Sequence, residues 1–162
     1  MKPRPRVLLF FATIAACIVS YEVFDLPAAR YCATVDHRIK DISELITELG
    51  VSTPYLAAAF AGFIYFNFIR KNQILANTAI FLFLAVALSG LANDLLKVLV
   101  GRSRPGLLFT GNIYGFKPFA DQFYYDYASF PSGHANTIAA LCYGLSLVTG
   151  RFKYVWLTIA LT

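Results

Sequence analysis

Four apolar runs constrain this chain more than anything else in it. Val7 to about Phe24, Ser52 to Ile69, Ile74 to Val100 and Gly133 to Thr149 each approach or exceed the ~20 residues with which an α-helix crosses a ~30 Å hydrocarbon core. Inside a bilayer no water can satisfy backbone N–H and C=O groups, so a spanning segment must satisfy them itself, as a helix does. A fifth run, Tyr154 to Thr162, has nine residues, about 14 Å of helix. The expectation is an all-α, multi-pass transmembrane helical bundle with four full spans and a truncated fifth. The chain then reads as one domain over residues 1–162, incomplete at its C-terminal end. Composition agrees: 58% of the residues are hydrophobic and 14% charged, against about 45–50% and about 25% in soluble domains.

Lys2, Arg4 and Arg6 precede the first run in the manner of a signal peptide, and Ile14-Ala15-Ala16-Cys17 resembles a lipoprotein cleavage box. Apolar sequence continues through Ile18 and Val19, which makes the run long enough to span, so it is read as a retained helix. Asp25 to Gly50 is a polar interlude. Within it Ile39, Ile42, Leu45, Ile46 and Leu49 recur at helical spacing against Lys40, Asp41, Glu44 and Glu48. That pattern predicts an amphipathic helix capped by Asp36, stopped at Gly50 and lying along the membrane interface. Ala58 and Gly62 give the next helix a small-xxx-small face for close packing. Cys17, Cys32 and Cys142 are too scattered for a disulfide framework or a metal site. The net charge of +5 lacks the basic run, set in a soluble fold, that nucleic-acid binding needs.

Two polar clusters interrupt this membrane-like sequence. Lys97 and Arg104 stand seven residues apart, about two turns at ~3.6 residues per turn. If the helix persists they share a face and can grip one anion, with Arg102 pointing elsewhere; Gly101 and Pro105 are both signals for its end. Arginine offers a planar fork that matches phosphate oxygens, and lysine a mobile point charge. The second cluster, Pro131-Ser132-Gly133-His134, sits where the next helix should begin. There the first backbone N–H groups have no intrahelical partner, and the helix dipole is positive. Gly133 admits close approach, the Ser132 hydroxyl can donate, and His134 can act as general acid or base. Alone, each cluster is ordinary: interfacial anchors in one case, a surface histidine in the other. Together they describe most of a phosphate site.

Lys-x6-Arg-Pro followed by Pro-Ser-Gly-His resembles the first two signature motifs of the type 2 phosphatidic acid phosphatase superfamily. That superfamily includes membrane lipid phosphatases and the vanadium haloperoxidases. The resemblance implies that Lys97, Arg104, Ser132 and Gly133 bind phosphate and that His134 is catalytic, protonating the leaving group. It implies hydrolysis of a lipid phosphate or diphosphate through a phosphohistidine, with no metal or other cofactor. The family's third motif, Ser-Arg-x5-His-x3-Asp, supplies a further arginine, the nucleophilic histidine and its aspartate, and is not among these residues. The other histidine, His37, has no Ser-Arg before it and no Asp at the required spacing. This chain as given is therefore expected to be inactive.

Other readings stay open. Asn93 and Asp94, one turn before Lys97, are either functional or, for Asp94, a partner that holds Lys97. The connection from Gly101 to Phe130 carries Tyr114, Phe116, Phe119, Phe123, Tyr124, Tyr125, Tyr127 and Phe130. It is either an interfacial aromatic belt or a funnel that admits a headgroup; Lys117 could assist an anionic substrate, but reads first as a surface lysine. Lys2, Arg4, Arg6, Arg70, Lys71, Arg151 and Lys153 fall on one side of the membrane and the other seven basic residues on the opposite side. With Lys97, Arg102 and Arg104 set aside as site residues, the first side is expected to be cytoplasmic and the site to face outward. The expected partners are the bilayer and a lipid phosphate substrate, without nucleic acid; oligomeric state is not legible. The rival function is a non-catalytic membrane protein that binds anionic lipid headgroups. A vanadate-dependent oxidase fits so apolar a chain poorly.

Overall fold

A computed structural model describes the backbone of residues 5–120 and 125–161, and the side chains from residue 7 onward in those ranges. Expectations resting on Lys2, Arg4, the Arg6 side chain, Phe123, Tyr124 and Thr162 lie outside the described residues. Every regular element described is helical. The chain divides into two compact units, Met1–Ser43 and Glu44–Thr162.

In the first unit, α1 (Pro5–Ser20) does not stop near Phe24. A π-helical turn, Tyr21–Asp25, carries it into α2 (Leu26–Thr34). Pro27 directly follows the π turn, where the regular i→i−4 ladder is already interrupted, and Ala28 and Ala29 favour continuation. The helix thus ends at Thr34, ten residues beyond the end of its apolar run at Phe24. Leu8, Phe10, Phe11 and Ile18 are exposed, an arrangement suited to lipid rather than water. The amphipathic helix forms as α3 (His37–Glu48). Asp36 starts it, its carboxylate accepting from the Arg38 N–H at 3.1 Å and its carbonyl from the Ile39 and Lys40 amides.

The second unit is built on α4 (Ser52–Ile64), α5 (Gln73–Val100) and α7 (Gly133–Val148). Leu49 and Gly50 turn the chain between α3 and α4, and the Tyr55 hydroxyl donates to the Leu49 carbonyl at 2.5 Å. A π turn, Tyr65–Ile69, closes the α4 run, and Asn72 caps α5 by accepting from the Leu75 amide at 3.2 Å. Phe60 meets Phe83 with ring centroids 5.7 Å apart, and a Cβ on Gly62 would lie 3.7 Å from that of Ala79. The small face of α4 therefore seats against α5. Between α5 and α7 the contacts run in opposite order: Lys97 with Gly133, Ser89 with Asn136, and Leu82 and Ala85 with Gly144. The two helices are antiparallel. Gly144 lets them pack closely, since a Cβ there would lie 2.9 Å from Leu82 Cδ2, which would have to shift.

The connection between α5 and α7 is more ordered than its length suggests. It holds α6 (Pro105–Gly111), an isolated antiparallel bridge between Arg102 and Phe116, and a 3₁₀ turn at Tyr125–Tyr127. Beyond α7, α8 (Lys153–Leu161) folds back so that the Trp156 indole donates to the Thr149 hydroxyl at 2.8 Å. Among the described residues, three helical stretches are long and apolar enough to cross a membrane: Val7–Thr34, His37–Ile69 and Gln73–Val100. The expected fourth span, α7, has 16 residues, about 24 Å of helix, and falls short of that length. The all-α architecture is as expected; α7, the expected fourth span, is a shorter helix than its apolar run implied.

Candidate active site

The route that brings the two cations together is not the one their spacing suggests. Lys97 is in the last turn of α5, but that helix ends at Val100. Gly101 takes the left-handed conformation (φ 59°, ψ 45°), its amide donating to the Lys97 carbonyl at 2.8 Å. Arg104 is extended (φ −76°, ψ 149°), as the residue before a proline prefers. A shared helix face is therefore ruled out; a chain reversal does the work. A Cβ at Gly101 would overlap the Lys117 carbonyl, and the Lys117 amide donates to the Gly101 carbonyl at 2.7 Å, so the turn is pinned by the returning loop. The Ser103 amide and hydroxyl both donate to the Gly115 carbonyl, at 2.9 and 3.1 Å.

Arg104 is then aimed by the segment just before α7. Its amide donates to the Asp126 carbonyl at 2.7 Å and its Nε to the Tyr125 carbonyl at 2.8 Å. Its guanidinium carbon lies 3.4 Å from the centroid of the Tyr125 ring. Lys97, largely buried, has its Nζ 3.3 Å from the carboxylate of the exposed Asp94. That is the pairing foreseen as the structural role of Asp94.

Ser132 is the N-cap of α7, extended at φ −68°, ψ 124°, its side-chain oxygen accepting from the Ala135 amide at 3.3 Å. The Asn136 amide is taken by the Ser132 carbonyl at 3.1 Å. The remaining first-turn amides, those of Gly133 and His134, have no carbonyl within the helix to bond. Gly133 brings this end of the helix against Lys97: a Cβ there would lie 3.3 Å from Nζ. His134 is exposed, and its backbone is held against Gly50, where an added Cβ would overlap His134 Cβ.

Lys97, Arg104, Ser132, Gly133 and His134 all line one cavity of about 720 Å³. Gly50, Val51, Ser52 and Leu56 close it on the α4 side, and Val86, Ala87, Gly90, Asn93 and Asp94 on the α5 side. Asn93 is buried there, and Asn136 accepts from the Ser89 hydroxyl at 2.8 Å. Arg102 does not line the cavity; its carbonyl accepts from the Ser129 amide at 3.2 Å. Lys117 lies over the Tyr127 ring, 5.5 Å from its centroid. No group of three or more His, Cys, Asp or Glu side chains that could hold a metal occurs among the described residues.

Sequence reasoning missed Gly50, Tyr125 and Asn136 as neighbours of the site. Gly50 read as a helix stop, which it also is, and Tyr125 as one aromatic among eight. No spacing rule links either to residues so distant in the chain.

Two curated relatives, each named lipid A 1-phosphatase, come from Rhizobium johnstonii and Rhizobium etli. Each is 30% identical over 171 aligned residues, covering 99% of this chain and 68% or 72% of the relative. No solved structure matches. The PAP2 superfamily pattern matches residues 78–162, the stretch holding both polar clusters and the helices that carry them, and the chain belongs to that superfamily.

Proposed function

We propose that this chain builds the phosphate-binding site of an integral-membrane lipid phosphatase, with the anion held between Lys97, Arg104 and the start of α7. The observation that carries the reading is the meeting of Lys97, Arg104, Ser132, Gly133 and His134 on one cavity. Two cations and a helix N-terminus, with its amides at Gly133 and His134, suit a tetrahedral oxyanion. The Ser132 oxygen accepts from within α7, which leaves its proton for a phosphate oxygen. His134 is the group placed to give a proton to the departing alcohol or phosphate.

At about 720 Å³ the cavity is the size of a site for a whole headgroup rather than a bare anion. A lipid A-type phosphate is the first substrate to test, because the similar proteins from Rhizobium bear the name lipid A 1-phosphatase. Phosphatidate, phosphatidylglycerol phosphate and undecaprenyl diphosphate carry the same group and are its rivals.

The chain crosses the membrane more than once in this reading, and the cavity opens on the non-cytoplasmic face. Arg70 and Lys71 precede α5, and Arg151 and Lys153 follow α7, so these four basic residues gather at the end of the antiparallel pair remote from the cavity. Basic residues favour the cytoplasmic side.

The 162 residues contain a cradle and an acid but no Ser-Arg-x5-His-x3-Asp, and their only other histidine, His37, pairs with Asp41 across 3.6 Å on α3. This chain alone is therefore expected to bind without turnover. The same feature favours a second reading, a non-catalytic protein that binds anionic headgroups. Two measurements test these readings in detergent. Lipid A bearing its 1-phosphate should bind more tightly than the same lipid lacking it, and Arg104→Ala should remove that preference. Equal binding of the two lipids would sink the site. Robust phosphate release by this chain would sink the expectation of inactivity and the second reading with it.

A further inference from the structure

We infer that Tyr125 is a positioning residue for Arg104, and that it commits this arginine to gripping phosphate end-on, through its two terminal Nη groups. The inference rests on the phosphate-site reading proposed above and adds a residue that neither motif contains. Arg104 is tied to one short segment three times over. Its backbone N–H reaches the Asp126 carbonyl at 2.7 Å, its Nε–H reaches the Tyr125 carbonyl at 2.8 Å, and its guanidinium lies 3.4 Å from the centroid of the Tyr125 ring.

A guanidinium can hold two oxygens either along the edge shared by Nε and one Nη or across the two Nη groups. The Tyr125 carbonyl occupies Nε, which removes the first option. The ring covers one side of the guanidinium, its centroid 3.4 Å from the central carbon, which restricts how the fork can turn. What remains for an oxyanion is the end-on edge. Tyr125 and Arg104 line the same cavity as Lys97 and the start of α7. The ring is itself 70% exposed, so little of the fold depends on it and its contact with Arg104 can be removed without opening a core.

The carbonyl bond survives any substitution at position 125, whereas the stack needs an aromatic side chain. That separates the two contributions. Inorganic vanadate, a phosphate mimic, is titrated into the detergent-solubilised chain at low ionic strength, where exposed charge contacts are least screened. Tyr125→Phe should bind within about twofold of the parent, because the stacking face is retained, while Tyr125→Leu should bind about two- to fivefold more weakly, the range for one exposed cation–π contact. Arg104→Ala should abolish binding. If Tyr125→Leu fails to fold, Tyr125→Met replaces it with the same expectation. Leu or Met binding as tightly as the parent, with Arg104→Ala still inactive in binding, would overturn this inference and leave the phosphate site standing. Equal weakening by Phe and Leu would overturn it too, by assigning the effect to the hydroxyl. Parent binding that is absent, or that ignores Arg104→Ala, would overturn both the inference and the site.

Discussion

Two glycines on the cavity wall look alike in the sequence and face different neighbours. At Gly133 an added Cβ would meet the Lys97 ammonium at 3.3 Å, the far end of a flexible side chain. Gly133→Ala should therefore leave stability within about 0.5 kcal/mol of the parent, since the lysine has to give by only a few tenths of an ångström. The same shift moves the cation relative to the anion, so vanadate binding should weaken slightly, by about twofold or less; a loss as large as that of Arg104→Ala would show that the added methyl blocks the anion itself. At Gly50 the added Cβ would overlap His134 Cβ and approach His134 Cα to 2.9 Å. Neither atom can move without moving the start of α7. Gly50→Ala should lower thermal stability in detergent by about 1–3 kcal/mol, the usual range for overpacking. His134→Ala, by contrast, removes an exposed side chain assigned to the leaving group. It should weaken anion binding far less than Arg104→Ala, and an equal loss from both would place His134 among the ion's ligands.

The elements were legible in proportion to how local their causes are. Asp36 and Ser132 were legible as the starts of α3 and α7 because a side-chain oxygen two or three residues ahead of a free amide is a short-range fact, whereas the same role of Asn72 on α5 was not read. The extension of α1 through Tyr21–Asp25 into α2 was not legible, because the polar residues from Asp25 onward read as the end of the run while a π turn carries the helix past them. The site shows the same division. Its residues were legible as two clusters, yet the shared helix face offered for Lys97 and Arg104 does not form, since α5 ends between them where Gly101 and Pro105 signalled a stop. What joins them is Gly101, left-handed at φ 59° and pressed against the Lys117 carbonyl, a contact sixteen residues away that no local pattern encodes. Gly101→Ala should be costly on both counts, by more than the ~1 kcal/mol typical of alanine forced to positive φ. It should also loosen vanadate binding by separating the two cations. A Gly101→Ala chain with parent stability and parent affinity would mean that this turn does not set the site.

On the scale of the whole second unit, the antiparallel packing of α5 and α7 turns a charge pattern into a statement about sidedness. The register Lys97–Gly133, Ser89–Asn136 and Leu82–Gly144 places the cavity at one end of the pair. Arg70, Lys71, Arg151 and Lys153 lie at the other end. The raw count of basic residues could not decide between the two faces, because Lys97, Arg102 and Arg104 offset them. The positive-inside tendency counts charges that are free to stay in the cytoplasm. Lys97 is paired with Asp94, and Arg104 is held by the Tyr125–Asp126 segment, so neither is a free interfacial anchor. With those two discounted, the Arg70 and Arg151 end should be cytoplasmic and the cavity should open on the opposite side. Single cysteines in a chain whose Cys17, Cys32 and Cys142 have been replaced can test this with a thiol reagent that does not cross membranes. Cysteine at Ser129, which lines the cavity, should label in intact cells, whereas cysteine at Lys71 should label only after the membrane is permeabilised. The reverse pattern would put the site in the cytoplasm. Labelling of both positions before permeabilisation would remove the premise that α5 crosses the bilayer at all.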